Sequence, residues 1–353
     1  MNRGQNRGTE GLTPAWIALC ACVCFIALSG VVAAAPGAQP STAQPDRSWE
    51  NYFGVSILPS GRAVVVGDKG VIMISDNQGQ TWARQQIKHG VKYDDLYSVA
   101  FTADGSSGWV VGDNGIIYHS SDHGTTWIEQ KAPAAVTGAL IKVAVVDAQK
   151  VCAGGDHGTI VCTTDGGANW SLQNIGDIGL FDMTFTDADN GWAVGEFLAI
   201  VHTADGGKSW KIQSGGDRMK SGDPYFAIAF AGHDGVVVGL AGSALETSDD
   251  GATWKPVDLS IEHKSFYAIA ALAKPAGAYY LAGETGVAAQ LAGGQLTPVQ
   301  TGTSNAISAV AFSDRFAMAV GLSGTLLGSN DGGQHWHSLD NQALENQGQD
   351  ADK

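Results

Sequence analysis

Carboxylates dominate the residues that could do chemistry in this chain of 353, which holds 35 Asp and Glu against 20 Lys and Arg. One set recurs in a fixed setting. Asp122, Asp165, Asp205, Asp249 and Asp331 each stand in the pattern Ser/Thr-x-Asp-x-Gly-x-x-Trp, and Asn77 takes the same place in a sixth copy. A second set, Asp68, Asp113, Asp156, Glu196 and Glu284, follows a Gly at the end of a short apolar run. Two carboxylates at a fixed separation across a cleft can hydrolyse a glycoside. The sequence offers many acids and singles out no such pair. Cys152, Cys162 and His157 fall short of the four ligands of a structural zinc site. There is no Ser-His-Asp pattern and no phosphate loop, and no cofactor is implied.

These side chains need elements to hold them. The recurring pattern reads as a tight turn between two strands. A short carboxylate can fold back onto the N–H groups of its own turn. Gly124 and its counterparts allow positive φ, and the leading Ser or Thr adds a local bond. The Trp starts the next strand and offers a large apolar body to the core. Trp82, Trp127, Trp170, Trp210 and Trp254 follow one another at 40 to 45 residues, and Trp336 stands 82 after Trp254. That last gap is two periods. It predicts a unit over Phe266 to Val299 that has lost its turn, with Ala292-Gly293-Gly294-Gln295-Leu296 in its place.

Seven units follow. The second shows the plan: Leu96–Thr102, Gly108–Gly112, Ile116–His119 and Trp127–Gln130 read as four short antiparallel strands. A period near forty is that of propeller blades. The fold class expected is all-β, a seven-bladed β-propeller of four-stranded antiparallel blades over 48–340. Blade seven should meet blade one directly, with Ser48-Trp49-Glu50 as a short seal.

The net charge of −15 excludes the basic footprint of a nucleic-acid binder and disfavours docking on anionic lipid. Ala15 to Val32 is an uncharged run behind Arg3 and Arg7, ending in small residues. Residues 1–34 therefore read as a secretory signal, with an uncleaved anchor as the alternative. Residues 35–47 read as a Pro- and Ala-rich linker, and 341–353 as a disordered acidic tail. An exported, periplasmic or membrane-associated monomer is expected. Cys152 and Cys162 flank the turn Gly155–Gly158 symmetrically and should lie opposite each other. A cross-strand disulfide and two packed thiols are both compatible with that placement.

Six Asp-box, or BNR, turns combined with Gly-Trp-Val-Val-Gly-Asp-x-Gly carry a family likeness, clearest in Gly108 to Trp127 and Gly191 to Trp210. Over about Ser48 to Leu339 the chain resembles the photosystem II stability and assembly factor family of chloroplasts and cyanobacteria, with its bacterial relatives. The resemblance implies a non-catalytic scaffold that binds a membrane protein, or a membrane-complex subunit, during assembly. Photosynthetic members use an arginine-rich surface. Here Arg47, Arg62, Arg84, Arg218 and Arg315 are scattered over the chain. A sialidase or other glycosidase, or a glycan-binding propeller, is the rival reading, because Asp boxes occur there too. Sialidases need clustered Arg for the substrate carboxylate.

In a propeller the second carboxylate set shares one face. It could attract a basic loop, or the acids could simply suit tight turns. Phe53, Tyr97, Phe181, Phe226 and Tyr267 start the innermost strands. They could bind a peptide, or pack between blades. The connections Lys88–Asp95, Ser214–Pro224 and Ile261–Ser265 are the longer ones, and Arg218-Met219-Lys220 is the densest basic spot among them. Loops on a rigid scaffold are where binding usually resides. The boxes belong to the opposite face.

Overall fold

The structure is a computed structural model and describes residues 50–215, 222–259 and 263–339. The expected signal, linker and tail lie outside the described residues, as do Arg218 and Lys220.

Among the described residues, 28 strands form seven four-stranded sheets, each built from four consecutive antiparallel strands. The blades run over Tyr52–Gln86, Leu96–Gln130, Leu140–Asn174, Leu180–Ser214, Tyr225–Pro256, Phe266–Val299 and Ile307–Ser338. The second strand of a blade is a short unbroken apolar run such as Ala63–Gly67 or Val151–Gly155, and it is buried on both faces. That is the pattern of a strand covered on both sides. Fourth strands such as Ala83–Gln86 are polar and largely exposed.

The core is divided into seven clusters, each lying between two neighbouring blades. Val64, Ile72, Val99 and Tyr118 join blades one and two. Tyr52, Val65, Met73, Phe316, Met318 and Leu339 join blade one to blade seven. Each such aliphatic side chain stabilises by roughly 1.5–3 kcal/mol when fully buried. The first strand of each blade touches that of the next, and the last touches the first, so the ring closes. Among the described residues no strand is exchanged at the closure. Gly324 N–H donates to Glu50 O, and Ser323 N–H donates to Asn51 Oδ1 at 3.0 Å.

The box turns explain the period. Ser120 Oγ donates to Asp122 Oδ1 (2.8 Å) and accepts from Gly124 N–H (2.9 Å). Asp122 accepts from Thr126 N–H (2.8 Å) and Thr126 Oγ1 (2.6 Å). Asp165, Asp205, Asp249 and Asp331 repeat this arrangement. Asn77 does so with its amide, accepting from Thr81 N–H and donating to Thr81 Oγ1. The box Trp stands just before the fourth strand rather than starting it, and in four blades its indole turns edge-on to a Phe of the first strand. Phe101–Trp127, Phe185–Trp210, Phe230–Trp254 and Phe312–Trp336 are such pairs. Blade six replaces the box with Gly293-Gly294, both at positive φ, in a two-residue hairpin turn.

Each box also docks on the preceding blade. A Cβ on Gly251 would come within 2.7 Å of Trp192 Nε1. A Cβ on Gly207 would come within 2.8 Å of both sulfurs of the Cys152–Cys162 disulfide. Those cysteines face each other in register on adjacent strands of blade three, Cα to Cα 4.1 Å. Glutamines complete the joint: Gln85, Gln130, Gln173 and Gln213 donate to the box carbonyls of Thr125, Gly166, Lys208 and Gly251 in the next blade.

Candidate partner-binding face

The up-and-down course of every blade sends its middle turn, the start of its first strand and its connection onward to one face. The box turns and the first-to-second strand turns go to the other.

On the first face the structure gives every described middle-turn carboxylate a backbone partner. Asp68 accepts from Asn51 N–H and Nδ2–H, both at 2.9 Å. Asp113 accepts from Asp95 N–H (3.4 Å) and Tyr97 O–H (2.8 Å). Asp156 accepts from Ala139 N–H, Glu196 from Gly179 N–H and Glu284 from Ser265 N–H, at 3.1, 2.7 and 3.2 Å. In each case the donor immediately precedes the first strand of the same blade. In blade five Leu240 stands at the acidic position, and the residue opposite is Pro224, which has no N–H to satisfy. The acids thus pin the entry of the innermost strand. Burial pushes the Asp68 carboxyl up to about 6 and raises that of Asp113 as well. The turns themselves place both central residues at positive φ. In blade four these are Phe197 and Leu198, with no Gly to ease the bend.

The aromatic set occupies a bulge. The first-strand ladder skips one residue at Phe53, Tyr97, Phe181, Phe226 and Tyr267, and at Ser308 in blade seven. Bulges re-aim side chains, and here they turn rings toward the neighbouring blade. Phe53 meets Tyr97 at 5.4 Å, Phe181 meets Phe226 at 6.0 Å, and Phe226 meets Tyr267 at 5.2 Å between centroids. The result is a broken collar around the ring axis, interrupted where blades three and seven carry Ile141 and Ser308. Below it, Lys142 Nζ pairs with Asp182 Oδ1 at 2.9 Å, and Asp182 Oδ2 accepts from Ile228 N–H, tying blades three, four and five.

Among the described residues, two recesses lie on the opposite face. One of about 590 Å³ lies between the first turns of blades seven, one and two, and its lining has one carboxylate, Asp314, beside Arg315. The other, about 380 Å³, is a notch between blades five and six where the sixth box is missing. Asp234 and Glu246 line it, both exposed. Among the described residues no group of three or more His, Cys, Asp or Glu is placed to hold a metal ion.

Residues 50–181 and 174–286 match the family model described as Photosynthesis system II assembly factor YCF48, a span of well over half the chain. The chain belongs to the YCF48 family. Solved structures share the fold. One described as YCF48 bound to D1 peptide aligns at TM-score 0.65 with 18% identity, covering 82% of this chain and 94% of that one. YCF48 from Cyanidioschyzon merolae aligns at 0.64 with 16% identity, covering 81% and 97%. No curated protein sequence gives a significant match. The YCF48 match ends at Gly286, the middle turn of blade six, and the seventh blade continues the repeat beyond it.

Two features escaped sequence reasoning. The interblade glutamines had a legible signal, Trp-x-x-Gln in the first four boxes, ending at Gln85, Gln130, Gln173 and Gln213. The carboxylate clamp on the first strand had a weaker one, the coincidence of Leu240 with Pro224.

Proposed function

We propose that this YCF48-family propeller is a non-catalytic scaffold, exported and monomeric, that binds an extramembrane segment of a membrane-complex subunit during assembly. The family match over residues 50–286 carries the reading. A solved relative of the same fold holds a D1 peptide, which makes a peptide segment the natural class of partner. The face with the aromatic collar and the longer connections is the binding face. Its aromatic rings offer apolar area with little side-chain entropy to lose. The box turns of the other face are occupied by their own hydrogen bonds and by the preceding blade. The Cys152–Cys162 disulfide supports an oxidising compartment.

The two recesses described on the box face give the glycosidase reading little support. The larger has a single acid. The two acids of the smaller, Asp234 and Glu246, are exposed. The test is fluorescence anisotropy with labelled synthetic peptides tiling the extramembrane segments of D1. Saturable binding to one tile is expected. Absence of binding to every tile, together with glycoside hydrolysis that depends on Asp234 or Glu246, would overturn the reading.

A further inference from the structure

Four large apolar side chains stand exposed among the described residues: Val91 at 94%, Ile128 at 70%, Ile212 at 43% and Tyr93 at 42%. Two of them fall on a single connection, the one between blades one and two. A third, Ile128, adjoins Glu129, which reaches that same connection. One connection therefore carries two of the four.

It is also built to hold its shape. His89 and Lys92 exchange two backbone hydrogen bonds (3.0 and 3.2 Å) across Gly90-Val91, and Gly90 takes the positive φ that a tight two-residue turn requires. The base is fastened on three sides. Asp94 receives His89 Nδ1 (2.9 Å) and Asn114 Nδ2 (3.0 Å). Asp95 Oδ1 accepts from Lys69 N–H at 2.7 Å. His89 Nε2 lies 3.6 Å from Glu129 of the outer strand of blade two. Lys88 Nζ stands 4.9 Å over the Tyr93 ring. The outcome is a braced finger on the partner face with Val91 at its tip. Such a shape has no use in the core, and it holds Val91 and Tyr93 in solvent on one short braced turn.

Charge selects the kind of cover. The chain carries −15, and the acids Asp94, Asp95 and Glu129 sit at the base of the finger, yet its tip holds exposed Lys88 and Lys92. Anionic lipid would be repelled by the bulk of the molecule, and one Val with one Tyr is too little apolar area to anchor it on a bilayer. We propose that the Lys88–Asp95 hairpin is the anchoring element of the binding face, packing Val91 and Tyr93 on an apolar residue flanked by carboxylates in the partner protein's extramembrane segment. This rests on the proposed scaffold function.

The test uses the D1 tiles with the full chain, its Val91→Ser variant, the pair Lys88→Glu with Lys92→Glu, and Ile212→Ser as a remote control. Val91 is so exposed that its replacement leaves folding intact. The expected result is about tenfold weaker binding for Val91→Ser, loss of salt dependence for the lysine pair, and an unchanged Ile212→Ser. A tile bound equally by all variants overturns the finger and leaves the scaffold reading standing. If no tile binds, D1 is not the partner, and the scaffold reading is decided by the hydrolysis assay on Asp234 and Glu246. The finger is then judged by a benzophenone side chain placed at position 91 and irradiated in membranes of the source organism. A crosslink mapped to an acidic, apolar protein segment supports it, and one to lipid or to nothing overturns it. Flotation of the chain with vesicles of equal phosphatidylcholine and phosphatidylglycerol that depends on Val91 would likewise overturn it, in favour of a lipid anchor.

Discussion

At the scale of the residue, the same functional group does opposite things on the two faces. The box carboxylates are half-buried or exposed and receive several hydrogen bonds, which hold Asp122, Asp205 and Asp249 down at about 2. Their contribution to stability is complete above the ordinary carboxylate range and is lost as pH falls through 2. Asp68 behaves the other way. Desolvation is the largest influence on it, and the nearby Asp95 adds to the rise. The folded chain therefore keeps a proton on Asp68 that the unfolded chain releases, between about 4 and about 6. Stability from this group falls as pH rises through that window. Asp68→Asn keeps an oxygen for Asn51 N–H and removes the titration. Denaturation midpoints measured from pH 4 to pH 7 should show the parent losing stability relative to the variant as pH rises. Parallel pH curves would contradict the assignment.

At the scale of the element, the box is a joint as much as a turn. It closes its own hairpin through Asp, and it presses a Gly and a carbonyl onto the preceding blade. Gln130 shows what the joint contributes. It accepts from the buried Trp109 Nε1 (3.2 Å) and donates to Gly166 O (2.9 Å), so it bridges blades two and three. Gln130→Leu leaves both groups without that partner and should cost roughly 1–3 kcal/mol in urea denaturation. A loss within a few tenths of that of an exposed neighbour such as Glu129→Leu would show that the bridge is incidental. Strand order, blade limits and the box itself were legible in the sequence because each rests on local chemistry: apolar alternation, Gly at positive φ, and Asp folding back on its turn. The clamp from Glu196 to Gly179 N–H was not legible, and the Trp-x-x-Gln spacing marks Gln173 without naming its acceptor, Lys208 O. Both bonds join residues whose proximity exists only once two strands or two blades are packed.

At the scale of the whole molecule, the repeat fixes a rigid ring and leaves function to departures from it. Blade count followed from the Trp spacing, including the sixth blade, whose box is a Gly-Gly turn. The departures are the unequal connections, the collar broken at Ile141 and Ser308, and the finger at Val91. Sequence gave the Lys88–Asp95 connection its length but not its bracing, since His89, Asp94, Asn114 and Glu129 meet only in the folded blade. The lost box of blade six leaves its notch on the box face, whereas the collar and the finger lie on the face opposite the boxes. The central claim, that this face receives the partner, is tested most directly by hydrogen–deuterium exchange of the full chain with and without saturating D1 peptide. The account predicts slowed exchange in Lys88–Asp95 and in the middle turns around Asp113 and Glu284, with the box turns unchanged. Protection concentrated at Ser120–Trp127 and its counterparts, with the Lys88–Asp95 hairpin unaffected, would contradict it.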